Sequence, residues 1–155
     1  MALLRETIGL RAFGFLKIPM LFWLRPSVLE MDDNRCVVKI PLNRRSKNHL
    51  NSMYFGALAA GADCAGGLLA MNLIRASGAE VSLVFKDFQA EFLKRAEGDV
   101  HFVCEQGREV RELVKRTLSS GERENLSVHI QAFVPSKSAQ EPVAKFILTL
   151  SLKKR

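Results

Sequence analysis

One carboxylate, Asp63, interrupts a long apolar segment of small residues, KNHLNSMYFGALAAGADCAGG, which spans residues 47–67. On a helix, the residues three and four positions from Asp63 share its face, and all are small: Ala59, Ala60, Gly66 and Gly67. A buried carboxylate is costly unless it is hydrogen-bonded, and poor solvation raises its pKa. Small neighbours leave open space above the acid, which predicts a functional acid or base. The alternative is a structural carboxylate held by a core Arg, Ser or backbone amide.

Hydrogen-bond donors lie in the first part of this segment, ahead of Asp63. They are the side chains of Asn48, His49, Asn51 and Ser52 and the backbone amides of residues 53–56. A helix N-terminus carries positive potential, and acyl transfer needs donors for a developing oxyanion together with a carboxylate that activates water or attacks directly. Asn-rich helix starts also occur simply as caps, and His49 taken alone is more typical of a solvated loop than of a catalytic base.

The element that must position Asp63 is one long helix from Ser52 to about Ala76. It contains no proline and is apolar around nearly its whole circumference, so other structure is expected to wrap it on several sides. A membrane span is the alternative, but Asp63 would then lie near the bilayer centre at a cost of about 2.5–3.5 kcal/mol. The Ala and Gly residues give little favourable transfer to offset this cost, so no transmembrane segment is predicted.

Segments with one apolar face predict strands. They are 35–40, 81–93 with a bulge or bend at Lys86 and Asp87, 99–104, 126–134 and 143–152, and a short amphipathic helix is predicted over 108–121 with Gly121 as its stop. A curved antiparallel sheet wrapped around the helix would bury both the helix, which is apolar on all sides, and the one apolar face of each strand. The predicted class is therefore α+β.

The N-terminal segment is apolar but carries charges and no cleavage site, which indicates a part of the mature protein. A helix is predicted over residues 2–16 with Leu3, Ile8, Phe13 and Leu16 inward, followed by an apolar stretch between Pro19 and Pro26. Two interpretations stay open at this point, a segment packed over the core and an amphipathic anchor at a membrane surface.

At 155 residues, the chain is predicted to be one domain over 1–155, with a helical extension over 1–26 and a core over 27–155. The net charge of +7 favours anionic partners, but one Tyr, one Trp and no reading motif argue against nucleic acid. Cys36, Cys64 and Cys104 are odd in number and widely spaced, so neither a disulfide framework nor a zinc site is expected, and a reducing cytoplasm is predicted.

The run from Asn48 to Asp63 and the strand near Ser82 resemble the hotdog-fold acyl-CoA thioesterases of the phenylacetic-acid-degradation type. They resemble still more closely an uncharacterised bacterial branch of that superfamily, the DUF4442 type. The resemblance covers roughly residues 27–153, with the motif confined to 48–67. The family pattern is an Asn, a His-Gly-Gly six positions on, and an Asp nine positions past that His. The His-Gly-Gly falls here on Tyr54, Phe55 and Gly56, so two of its three residues differ.

The resemblance implies a mechanism. A backbone amide at Phe55 or Gly56 would polarise a thioester carbonyl, and Asn48 and Ser82 would place a water or the substrate. Asp63 would act as general base or nucleophile. The resemblance also implies a homodimer or a dimer of dimers, with Asn48 and Asp63 of one site coming from opposite chains.

The implied substrate is the thioester of an acyl-CoA or acyl-carrier protein, with coenzyme A only as part of the substrate and no metal. Predicted substrate-binding residues are His49, Tyr54, Arg44, Arg45 and Lys47, the basic ones for the phosphates of coenzyme A. The tail Lys153, Lys154 and Arg155 is a second basic cluster, and a solvated loop and tail are the alternative for both.

Two further functions compete with hydrolysis. Because the His and the first Gly of the family pattern are absent here, one alternative is a non-catalytic module that binds acyl-CoA or lipid. A hotdog dehydratase is disfavoured, because Tyr54 occupies the position nearest to the catalytic His of those enzymes. Acyl-chain length would depend on pocket depth, for which Phe55, Phe85, Phe88 and Met71 are candidates.

Overall fold

The structure, a computed structural model, describes all residues from 1 to 155. Four helices and six strands follow one another as α1 Leu4–Lys17, α2 Pro19–Leu24, β1 Ser27–Met31, β2 Cys36–Ile40, α3 Phe55–Ser77, β3 Val81–Phe92, β4 Val100–Cys104, α4 Gly107–Ser120, β5 Glu124–Phe133 and β6 Ala144–Lys154. The strands form one antiparallel sheet in the order β1-β2-β4-β5-β6-β3.

The long central helix predicted from the sequence is α3. It packs against β2, β3, β4, β5, β6 and α4, so the sheet wraps around it and accounts for its apolar circumference. The helix begins at Phe55 rather than Ser52, because Lys47 and Met53 form a β-bridge and the residues between them make a turn. It ends at Gly78, whose φ of 71° is a left-handed conformation that favours glycine. The predicted α+β class is confirmed.

All five predicted strands are present, and β1 is a sixth that the sequence pattern did not indicate. The predicted bulge in β3 is confirmed, since the pairing with β6 shifts between Phe85 and Phe88. At this bulge the carboxylate of Asp87 accepts a hydrogen bond of 3.2 Å from the backbone N–H of Thr149. The predicted surface helix is α4, which Gly121 ends with a φ of 68°.

The helical N-terminal segment packs on the body of the fold, with Leu10, Leu21 and Leu24 buried in the core. It also covers the β1 edge of the sheet, because the hydroxyl of Thr7 accepts a hydrogen bond of 2.9 Å from the amide of Val28. This finding supports a segment packed over the core, while contact with a membrane surface stays a prediction.

The predicted inward face of α1 is wrong for Ile8 and Leu16, whereas Leu3 packs against the core and Phe13 is partly buried. Ile8 and Leu16 are 57% and 73% exposed, and the buried residues are Thr7, Leu10 and Gly14. Gly14 decides the orientation, since a Cβ atom there would lie 2.8 Å from the backbone N of Phe22. Helices α1 and α2 therefore meet at Gly14, and this close approach fixes which side of α1 faces the core.

Helix α3 is the one helix long and apolar enough to cross a membrane. Within its most apolar window, 67% of the residues are buried inside the fold. Its hydrophobicity is thus explained by its position in the core of the sheet.

Candidate functional site

Asp63 lies half-buried in the middle of α3 and lines an open groove between that helix, α1 and β3. Burial raises the pKa of its carboxyl group, and neither a hydrogen bond nor a charged neighbour contributes to this shift. The nearby Gly67 leaves the acid uncovered, because even an added Cβ would come no closer than 3.7 Å to its Oδ1. Within this chain, no Arg, Ser or backbone amide bonds the carboxylate of Asp63.

The start of α3 presents two backbone N–H groups. The first helical hydrogen bonds are donated by Ala57 and Leu58 to the carbonyl oxygen of Tyr54, and no side chain caps the helix. The amides of Phe55 and Gly56 are consequently without a partner and can donate to an anion. The side chain of Tyr54 covers this turn, since a Cβ on Gly56 would lie 2.5 Å from its ring.

Asn48 shapes the loop before the helix. Its Oδ1 accepts hydrogen bonds from the amides of Leu50 at 2.9 Å and Ser52 at 3.2 Å, which leaves its NH₂ group free to donate. The helix N-cap is Tyr54, so Asn48 is a turn residue and not a helix cap. Of the other predicted loop donors, His49 and Asn51 are exposed, whereas Ser52 is buried and its Oγ has no partner.

Within one chain, the structure does not bring the predicted site residues together. Asp63 is eight residues along α3 from Phe55, about 12 Å at 1.5 Å per residue. Ser82 lies at the start of β3, where its hydroxyl donates to the carbonyl oxygen of Lys153 at 3.2 Å, and it does not line the groove of Asp63. A single carbonyl group cannot contact both Asp63 and the helix start of the same chain.

The predicted basic residues lie on the surface near the start of α3. Arg44 is exposed, the guanidinium of Arg45 stacks 5.1 Å from the ring centroid of Trp23, and Nζ of Lys47 donates to Asn51 at 3.2 Å. The contact between Arg45 and Trp23 ties this loop to α2. The tail of Lys153, Lys154 and Arg155 is exposed at the end of β6.

An aromatic cluster beside the helix start was not predicted as a unit. The rings of Phe55 and Phe92 are 6.5 Å apart, and those of Phe92 and Phe146 are 6.3 Å apart. Tyr54, Phe55, Phe88 and Phe92 in this region are all between 44% and 60% exposed. The sequence feature that could have predicted this cluster is the pair Phe88 and Phe92. They are four residues apart in the second half of β3 and therefore lie on one side of the strand.

The sequence matches the model of one family, Domain of unknown function (DUF4442), over residues 9–151. The chain belongs to the DUF4442 family. No curated protein sequence matches it. In this DUF4442 chain the free backbone amides of Phe55 and Gly56 and the carboxylate of Asp63 lie on one helix, with Phe55 about 12 Å from Asp63 along the axis at 1.5 Å per residue.

Solved structures share this fold along nearly the whole chain. A Pseudomonas aeruginosa protein of unknown function, called a "Probable Thioesterase", has a TM-score of 0.80 at 21% identity, covering 100% of this chain and 99% of that one. A protein of unknown function from Chlorobaculum tepidum has a TM-score of 0.80 at 14% identity, with coverages of 96% and 94%. A thioesterase from Haemophilus influenzae has a TM-score of 0.62 at 15% identity, with coverages of 86% and 82%. The DUF4442 chain therefore has the hotdog fold that the resemblance implied.

Proposed function

We propose that this DUF4442 protein is an acyl thioesterase that hydrolyses the thioester of an acyl-CoA or acyl-carrier protein. The observation that carries the proposal is Asp63, an unpartnered carboxylate with a raised pKa that lines an apolar groove. Enzymes raise the pKa of a catalytic carboxyl by such burial, which brings it closer to the working pH. The thioesterases among the structural neighbours are consistent with this assignment of the fold to thioester chemistry.

The proposed reaction adds water across the C–S bond. Asp63 as general base takes a proton from water while the water oxygen attacks the thioester carbonyl carbon. The amides of Phe55 and Gly56 stabilise the negative charge on the carbonyl oxygen, and Asn48 places the water or substrate. The C–S bond then breaks, and the leaving thiolate takes the proton from Asp63. Direct attack by the Asp63 carboxylate, followed by hydrolysis of the anhydride, is the alternative route to the same products.

The proposed active site lies between two chains. Because Asp63 and the free amides of one chain are about 12 Å apart along α3, a second copy is needed to place amides beside Asp63. Strand β3 is an edge of the sheet and carries the exposed side chains of Val84, Phe88 and Phe92, which suits pairing with the β3 edge of another copy. We therefore propose a homodimer, which can pair further into a dimer of dimers.

The substrate is proposed to place its phosphates near the loop of Arg44, Arg45 and Lys47. These cations lie beside the start of α3, where the proposed oxyanion site is, and Arg bonds phosphate well through its planar guanidinium. In this arrangement His49 and Tyr54 would contact the polar arm of the substrate, and no cofactor is needed beyond its coenzyme A. We propose a cytoplasmic location, since all three cysteines are free and buried.

The test is a panel of acyl-CoA thioesters with detection of the released thiol. Asp63→Asn removes the base while keeping the size of the side chain, and we expect kcat to fall by about 10²–10⁴-fold. Glu112→Gln, an exposed acid on α4, is the matched control and should keep full activity. Unchanged hydrolysis by Asp63→Asn, or no thiol released by the unmodified protein from any thioester, would rule out this function.

A second function is favoured by one observation, the aromatic side chains of Tyr54 and Phe55 at the helix start. Their rings lie 4.8 Å apart where the family pattern has His and Gly, and they narrow access to the amides. This arrangement is compatible with a module that binds acyl-CoA or lipid without cleaving it. Co-purification of an intact acyl thioester that survives for hours on the purified protein would support this function over hydrolysis.

A further inference from the structure

A groove with a volume of about 1270 Å³ runs between α1, α3 and β3. Three elements supply apolar walls to it. The residues that form these walls are Ile8 and Phe13 from α1, Gly67 and Met71 from α3, and Leu83 and Phe85 from β3. Asp63 stands at one end of the wall formed by α3, and Arg75 stands at the other end.

The length of this groove is set by α3. From Asp63 to Arg75 there are twelve residues, about 18 Å at 1.5 Å per residue. An extended chain of tetrahedral atoms advances about 1.2 Å per bond, so a saturated chain of roughly 14–16 carbons spans this distance. Most of the lining is apolar, and its charged members besides Asp63 are Arg5, Glu6, Arg75 and Arg155. Against the apolar part of the walls an acyl chain fits better than the phosphates and amides of coenzyme A, because burying polar groups without partners is costly.

We propose that the groove binds the acyl chain of a long-chain thioester, with the reacting carbonyl at Asp63 and the methyl end toward Arg75. This inference rests on the proposed thioesterase function and names its substrate class. The N-terminal helix α1 is then a wall of the acyl site and determines which chain lengths fit.

Helix α1 is held firmly enough to serve as a wall. The hydroxyl of Thr7 accepts a hydrogen bond from Val28, and the guanidinium of Arg11 donates to the carbonyl oxygen of Pro26 and the hydroxyl of Ser27, each at 2.9 Å. Between these anchors Gly9 lines the groove, and a Cβ added there would meet nothing within 4 Å. A larger side chain at Gly9 would therefore enter space that the proposal assigns to the acyl chain.

The experiment compares Gly9→Leu with Ser119→Leu, a control that adds bulk at an exposed position of α4 that does not line the groove. Leu is a better helix former than Gly, so Gly9→Leu should fold, which circular dichroism checks. For each protein, kcat/KM is measured with hexadecanoyl-CoA and butanoyl-CoA. We expect the unmodified protein to prefer hexadecanoyl-CoA, Gly9→Leu to lower the ratio of the two values by about tenfold or more, and Ser119→Leu to leave the ratio unchanged.

Binding of palmitate by titration calorimetry separates this inference from the proposed function. Palmitate binding that Gly9→Leu weakens by about tenfold or more, and Ser119→Leu does not, supports the acyl groove even if no thioester is hydrolysed. The inference is overturned if palmitate does not bind, or if Gly9→Leu leaves both its affinity and the chain-length ratio unchanged. Hydrolysis restricted to butanoyl-CoA would also overturn it.

Discussion

Asp63 lowers the stability of the folded protein. It is a half-buried acid without a hydrogen-bond partner, and burial alone raises its pKa. Removing water from a carboxylate disfavours its charged form, and no nearby cation offsets this effect. A residue that destabilises the native state and faces an open groove is typical of a functional site, where activity and stability oppose each other.

The stability cost depends on pH in a defined direction. Because the pKa of Asp63 is higher in the folded protein than its ordinary value of 3.8, the folded state binds the proton more tightly than the unfolded state. This contribution to the free energy of unfolding is full below pH 3.8 and decreases as pH rises to the raised pKa. Above that pKa, Asp63→Asn should be about 0.5–2 kcal/mol more stable than the unmodified protein.

Urea unfolding of both proteins at pH 4 and pH 7 measures this difference. The advantage of Asp63→Asn should be larger at pH 7 than at pH 4. A variant that is less stable than the unmodified protein at pH 7 would show that Asp63 makes a favourable interaction, contrary to its unpartnered position. Glu112→Gln again serves as the control, since an exposed acid should show no such dependence.

At the scale of elements, the central helix approaches the sheet through its glycines. Gly61 lies where a Cβ would come within 2.2 Å of the ring of Phe102, which is completely buried on β4. The glycines of α3 thus have two separate structural roles. Gly61 allows close packing against a strand, whereas Gly67 leaves space beside Asp63.

We expect Gly61→Ala to destabilise the protein by about 1–3 kcal/mol, because the added methyl group overlaps a ring that has no free space to move into. Gly66→Ala is the matched control on the same helix. Its Cβ would lie 3.3 Å from the flexible end of Ile130 and at ordinary contact distances of 3.6 and 3.7 Å from Val128 and Phe85, so the better helix propensity of Ala should offset the closest contact. Denaturant unfolding compares the two variants, and equal stabilities would contradict the packing at Phe102.

At the scale of the molecule, the two edges of the sheet differ. The β1 edge is covered by the N-terminal segment through the hydrogen bonds of Val28 with Leu3 and Thr7. The β3 edge is 12 residues long and uncovered, with Phe88 and Phe92 exposed beside it. A long uncovered edge with exposed aromatic side chains is a surface for pairing, which supports the proposed dimer and its shared active site.

Phe88→Lys should weaken that dimer, since a lysine at an exposed strand edge opposes pairing with a like-charged copy. We expect the dissociation constant to rise by about tenfold or more, measured by sedimentation equilibrium. Phe15→Lys is the control, because Phe15 is a comparably exposed aromatic on α1, away from the β3 edge. Monomers in the unmodified protein at all concentrations, or equal effects of both variants, would contradict pairing through β3.

The sequence by itself determined the core of this protein. The periodicity of apolar residues specified α3, α4 and five of six strands, and the phase change at Lys86 and Asp87 located the bulge, because these patterns are local along the chain. Asp63 was identified as a candidate from its small neighbours alone. Strand β1 was not predicted because its sequence, SVLEM, is short and does not alternate cleanly between apolar and polar residues.

Only the tertiary structure decided which surfaces meet. The inward face of α1 depends on the contact between Gly14 and α2, and the groove exists because α1, α3 and β3 are brought together from distant parts of the chain. The position of the free amides likewise depends on where α3 begins, at Phe55 and not at the predicted Ser52, because the bridge between Lys47 and Met53 holds the preceding loop. Residue patterns encode which face of an element is apolar, but the packing partner of that face is chosen by shape in three dimensions.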